Sequence, residues 1–118
     1  MGAAGRAGSL VQVDALKVSH HAIQRYCQRV ENHASYSVVA SKIRRDLGGA
    51  LKIPHRLGMQ RWGKNRNSTI QKRQRFKFMF TARAVYICSS SAVITVLACS
   101  DEDIAIVLIW LATGHWLG

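Results

Sequence analysis

The stretch FKFMFTARAVYICSSSAVITVLA, residues 76–98, decides how this chain folds. From Arg73 onward the period is two: Phe76, Phe78 and Phe80 alternate with Lys77, Met79 and Thr81. Successive side chains of a strand point to opposite sides, so this pattern predicts a strand with one aromatic face. Ala84 to Cys88 and Val93 to Ala98 read as two further strands flanking a turn at Ser89-Ser90-Ser91. The three together form an antiparallel meander.

Upstream the period lengthens. Ile23, Tyr26, Cys27 and Val30 fall at i, i+3, i+4 and i+7, the buried stripe of one helix, with Ser19 placed to cap it. A second helix is predicted from about Ser37 to Leu47, where Val39, Ile43 and Leu47 recur every four residues and Gly48-Gly49 stop it. The two helices would form a hairpin. Residues 52–71 lose periodicity and mix Pro54, Gly58, Gly63, Asn65, Asn67 and Ser68 with arginines and lysines, the composition of a long basic loop. After the meander, Asp101-Glu102-Asp103 precede the apolar run from Ile104 to Leu111; acids there suit the positive end of a helix, while the β-branched content suits a fourth strand equally. Residues 1–15, rich in glycine and alanine, read as a flexible lead-in. The expected architecture is α+β: an N-terminal helix hairpin packed on a three- or four-stranded antiparallel sheet, with an apolar C-terminal helix or strand, in one compact domain over 16–118.

At 118 residues, 48% of them apolar, the chain can bury one modest core. Cys27, Cys88 and Cys99 are odd in number, far apart and without a C-x-x-C pair, so they suggest neither a disulfide framework nor a zinc site. A reducing compartment is expected, and the start MGAAGRAGSL lacks the apolar core of a secretory signal, so a cytoplasmic location is expected with it. The apolar run Ile104 to Ala112 is well short of the roughly 20 residues of a spanning helix, so no transmembrane span is expected. A cationic chain with such a tail could still lie on an anionic bilayer surface.

Seventeen Lys and Arg against six Asp and Glu give a net charge of +11. Charge of one sign repels itself unless a polyanion neutralises it. No acid occurs between Asp46 and Asp101, whereas Lys52, Arg56, Arg61, Lys64, Arg66, Lys72, Arg73, Arg75, Lys77 and Arg83 all fall in that interval. A merely solubilising face intersperses both signs, so this one-sided run points to phosphate contact and hence to nucleic acid. Guanidinium groups grip phosphate through two hydrogen bonds or stack on unpaired bases. Trp62, between Arg61 and Lys64, is either a stacking platform for a base or a lid on the core. No homeodomain, zinc-finger, basic-zipper or RNP motif is present, so sequence-specific duplex reading has no support.

On the first helix His21, Arg25 and Arg29 stand at i, i+4 and i+8, beside the apolar stripe. Like charges at this spacing repel by a few tenths of a kcal/mol per pair, and an anion between them turns repulsion into attraction. The trio suits transesterification at an RNA phosphate, in which a histidine takes the 2′-hydroxyl proton and arginines stabilise the phosphorane-like transition state. No metal or other cofactor is then required. The same spacing also describes the plain polar edge of an amphipathic helix. His20 adds a second candidate for the inward or outward position, and His33, His55 and His115 are isolated. Thr95 is the one polar residue within Val93-Ile94-Thr95-Val96-Leu97, a place where threonine also serves simply as a strand former.

The run His21-Ala22-x-x-Arg25-Tyr26-x-x-Arg29-Val30, followed downstream by Val93-Ile94-Thr95-Val96-Leu97, resembles small phage and toxin-like proteins of the RelE-like, barnase–EndoU–colicin–RelE class. The resemblance implies an N-terminal helical element on an antiparallel sheet and metal-independent RNase activity. It implies His21 as general base or acid, Arg25 and Arg29 as phosphate clamps, and Thr95 as a hydrogen-bonding partner in the active site. The basic insertion at 52–71 and the apolar tail after Asp103 depart from a minimal member. The expectation is therefore a nucleic-acid-binding protein acting as a metal-independent endoribonuclease. The alternatives are a non-catalytic nucleic-acid-binding or phage-encoded inhibitory protein, and an interaction protein that docks an antitoxin-like partner or a second copy through 104–116.

Overall fold

A computed structural model describes residues 16–63 and 76–118; the lead-in 1–15 and part of the basic segment, 64–75, lie outside the described residues. In chain order the elements are β1 (Lys17–Val18), α1 (His20–Arg29), α2 (Tyr36–Gly48), β2 (Leu51–Ile53), α3 (His55–Trp62), β3 (Lys77–Phe80), β4 (Ala84–Cys88), β5 (Ala92–Ala98) and α4 (Asp101–Thr113). Ser19 starts α1 by accepting the Ala22 amide at 3.0 Å, and Ser35 starts α2 in the same way through Val38. Ser100 and Asp103 form a reciprocal capping box at the head of α4, so the acids before the apolar tail select a helix over a strand. Gly114 ends that helix at φ 79°, a left-handed conformation that costs a glycine nothing.

The meander β3-β4-β5 is antiparallel, but the sheet is wider than the pattern predicted. It has five strands in the order β1-β5-β4-β3-β2 and is mixed, because β1 joins β5 in parallel while β2 pairs with β3 antiparallel. The two added strands span only two and three residues, too short to show a period of two.

Each face of the sheet carries helices. Ala22, Ile23 and Tyr26 of α1 and Val39, Ile43 and Leu47 of α2 bury Met79, Tyr86, Val93 and Val96 on one side. Leu57 of α3 and Val107 of α4 close over Ile53, Phe76, Phe78 and Ile87 on the other. Strand β4, covered on both faces, is buried throughout. Burial of apolar surface on two sides is the main force holding the three layers together.

Two expectations are corrected. The N-terminal helices do not form a hairpin. Their first turns meet where the His20 and Tyr36 rings lie 4.7 Å apart. Farther along, Arg83 bonds Tyr26 of α1 and Glu31 just beyond it, while Asp46 of α2 accepts the Tyr86 hydroxyl beside them at 2.6 Å. The segment 30–35 runs back along α1, with the Cys27 thiol on the His33 carbonyl, so both helices run in the same sense. The predicted loop at 52–71 is also corrected at its start, since 51–53 is a strand and 55–62 a helix. Pro54 sits at the N-cap of α3, where its missing N–H costs nothing.

Gly58, which reads as a loop residue, is instead the contact point between α3 and the sheet. A Cβ built there would stand 2.2 Å from Cδ2 of Phe78. Alanine favours a helix over glycine by about 1 kcal/mol, but here the clash with a buried ring dominates. Gly58→Ala is expected to lower stability by about 1–3 kcal/mol in urea denaturation, despite the better helix former.

Candidate nucleic-acid interface on the first helix

Helix α1 lies along the outer edge of β5. Strand β1 pairs with β5 only at Ala92 and Val93, so the carbonyls beyond need other donors. The Ser19 hydroxyl donates to the Ile94 carbonyl at 3.2 Å, and Nη1 of Arg29 donates to the Val96 carbonyl at 2.9 Å. The end of the arginine row is thereby anchored to the sheet. Arg29 is otherwise exposed.

One turn back, Nε of Arg25 donates to Nε2 of His21 at 3.4 Å, and its Nη1 donates to Oε1 of Gln28 at 2.8 Å. His21 is exposed and Arg25 half-buried. The structure thus assembles His21, Arg25 and Arg29 along one edge, at the spacing the sequence shows.

Thr95 is not brought to that edge. It pairs with Ile87, whereas the next pair along is Cys88 with Val93, so Ile94 is an extra residue in a β-bulge. Directly paired residues share a face, and Ile87 belongs to the cluster under α3 and α4. Thr95, 5% exposed, therefore faces the layer opposite α1, and the sheet itself separates it from His21.

The basic residues of the chain's middle fare differently from one another. Arg61 donates Nε to Asp103 and Nη2 to Glu102, both at 2.7 Å. Trp62 gives its Nε1 proton to Asp103 at 3.3 Å and stacks on Phe78 at 6.0 Å between centroids. It packs against the core under α3 and α4 and remains half-buried. Arg83 bonds Glu31 at 2.8 Å, as Lys42 does at 2.9 Å, and hydrogen bonds from Lys42 and then Arg83 hold the Glu31 carboxyl below its ordinary range. Arg56 is exposed on α3, and Lys77 is half-buried on β3. Lys64, Arg66, Lys72, Arg73 and Arg75 lie outside the described residues.

The remaining chemistry-bearing groups are quiet. Burial pushes the Cys88 thiol up to about 12 and the Cys99 thiol up to about 11, which leaves neither a thiolate nucleophile near neutrality. Among the described residues no three His, Cys, Asp or Glu side chains gather as a metal site, and no helix is long and apolar enough to cross a membrane. Sequence reasoning missed Tyr36, whose ring is 43% exposed beside His20; its only sequence signal is an aromatic directly after a Ser cap. Comparison of the chain with protein-family models, with curated proteins and with solved structures returns no match.

The Arg61–Asp103 pair yields a pH prediction. Burial raises the Asp103 carboxyl, but the Ser100 amide, Arg61 and the Ser100 hydroxyl outweigh it and hold the group below its ordinary value. A depressed carboxyl stabilises the fold above its unfolded value, and that contribution is lost as pH falls through the folded one. Asp103→Asn is expected to cost about 1–3 kcal/mol at pH 7 from the lost cap and ion pair. In urea melts the gap to the parent should shrink as pH falls through and below the ordinary carboxylate range.

Proposed function

We propose that this chain binds RNA through the His21/Arg25/Arg29 edge of α1 and cleaves it without a metal. The observation that carries the reading is the Arg25 Nε to His21 Nε2 contact at 3.4 Å on an exposed helix edge. It sets an imidazole, the group suited to take a hydroxyl proton near neutrality, beside a permanent cation. At that length the bond is weak, so a 2′-hydroxyl displaces it at little cost and Arg25 turns to the phosphate. His21 takes the 2′-hydroxyl proton, the 2′-oxygen bonds to phosphorus as the bond to the 5′-oxygen breaks, and the leaving 5′-oxygen takes a proton from water, giving a 2′,3′-cyclic phosphate and a 5′-hydroxyl. Arg25 and Arg29 stabilise the added negative charge on the phosphoryl oxygens. The resemblance to RelE-like RNases supports these three roles; with Thr95 on the far face, the proposed reaction proceeds without it.

Incubation with RNA and with single- and double-stranded DNA in EDTA should yield cleaved RNA and intact DNA, because DNA has no 2′-hydroxyl. His21→Ala with Arg25→Ala should lower cleavage by at least about 10²-fold and leave the circular dichroism spectrum unchanged. Retained cleavage removes this site. Salt-dependent binding without products over hours marks a non-catalytic binder instead, since phosphate contacts release counterions whether or not chemistry follows.

A second reading concerns the tail. Leu108, Leu111 and Leu117 of the C-terminal segment are 59%, 56% and 66% exposed. From Ile104 to Gly118 no residue carries charge except His115 on protonation, so in a cationic chain two copies meet there with least repulsion. Pairing through 104–116 predicts a mass that doubles with rising concentration in size-exclusion chromatography with light scattering, and reverts on Leu108→Glu with Leu111→Glu. A mass of one chain throughout rules it out.

A further inference from the structure

Beside the cationic edge the first turn of α1 carries a second feature. His20 and His21 are consecutive, so their side chains diverge by about 100° around the helix. The His20 ring meets Tyr36, the first residue of α2, edge-on at 4.7 Å and 69°. Both residues are exposed, Tyr36 at 43%. An edge-on contact orients two rings while covering only part of either one. Gln24 and Gln28, also exposed, form a polar ridge between this aromatic pair and the arginine row.

We propose that Tyr36 and His20 form a platform on which one unpaired base of a single-stranded nucleic acid stacks, while the neighbouring phosphates lie on His21, Arg25 and Arg29. The inference rests on the reading of that edge as a phosphodiester site, and it adds the substrate class. The platform and the row are separated by about the width of a helix, ~10 Å, a distance that successive units of an extended strand cross. A paired base offers no face, so duplexes are excluded from the platform. Every base has a π-face, so stacking here carries little sequence preference. The two contacts also differ in physics: phosphate binding releases counterions and weakens with salt, whereas stacking does not.

That difference supplies the test. Binding of a labelled single-stranded 2′-O-methyl RNA, which lacks the nucleophilic hydroxyl, is followed by fluorescence anisotropy across a salt series. Tyr36→Ala should weaken binding about tenfold at every salt concentration, with the slope of log affinity against log salt unchanged. Tyr36→Phe and Tyr36→Trp should bind as the parent does. Arg25→Ala should flatten the slope by about 0.7, the value of one phosphate contact on a single strand. His20→Ala serves as the second platform variant should Tyr36→Ala melt early, and should also weaken binding with the slope retained. Parent-level binding by both alanine variants, alongside a flattened slope for Arg25→Ala, overturns the platform alone. A slope that flattens in Tyr36→Ala overturns it too, and absence of any binding by the parent overturns both the platform and the phosphodiester site.

Discussion

Strand β5 is paired with β4 along its length, but its other edge is covered by β1 only at Ala92 and Val93. Backbone carbonyls left without donors in a half-buried setting are costly and invite pairing with other chains. The chain meets this constraint with helix α1 rather than with a longer strand. Ser19 serves twice, its side chain capping the helix and also donating to Ile94, while Arg29 donates to Val96 at the far end. Between those two points the helix has little freedom to slide or roll. Its apolar stripe then goes under, and His21 and Arg25 come to the outside, as consequences of closing one sheet edge.

The scarcity of acids shapes the rest. Each carboxylate with a partner among the described residues sits where elements join: Glu31 ties Lys42 of α2 and Arg83 of the β3–β4 turn to the end of α1, Asp46 ties α2 to Tyr86 of β4, and Asp103 with Glu102 ties α4 to Arg61 of α3. None of these pairs alters the net charge of +11; they decide which cations are occupied. Arg61 and Arg83, the members of the acid-free stretch with carboxylate partners here, reach across the fold to acids outside that stretch. One-sided sequence composition therefore overstates how many of its cations face outward, because pairing is set in space and not along the chain.

Much of the fold is legible because its signals are local. The meander follows from alternation at 76–98, and helices α1 and α2 follow from an apolar spacing that packing then satisfies, whereas 104–111 reads as helix or strand alike until the Ser100–Asp103 capping box selects the helix. What is missed depends on distant contacts. Strands β1 and β2 exist through their neighbours, and α3 hides behind Pro54 and Gly58, the second of which is required by the Phe78 ring rather than by a turn. The sense of α2 relative to α1 is set by how 30–35 folds back, which no periodicity records. Thr95 is the sharpest instance: one extra residue in β5 changes which side chain faces which layer, and spacing along the sequence carries no mark of it.

The same constraint that closes the sheet supports the proposed phosphate site on α1. A long cationic side chain loses up to about 2 kcal/mol of rotamer freedom when it is fixed, and one that is not already held incurs that loss at the moment of association. Arg29 is already held by Val96, and Arg25 by Gln28, so part of their ordering is completed during folding. Each guanidinium has five donors in a planar fork, and the bonds to these neutral acceptors leave the charge and further N–H groups for an incoming oxyanion. Arg61, held by two carboxylates at 2.7 Å, is ordered as well, but its charge is already matched. A phosphate there would have to displace an acid, whereas among the described residues Arg25 and Arg29 are held by neutral acceptors and by no carboxylate.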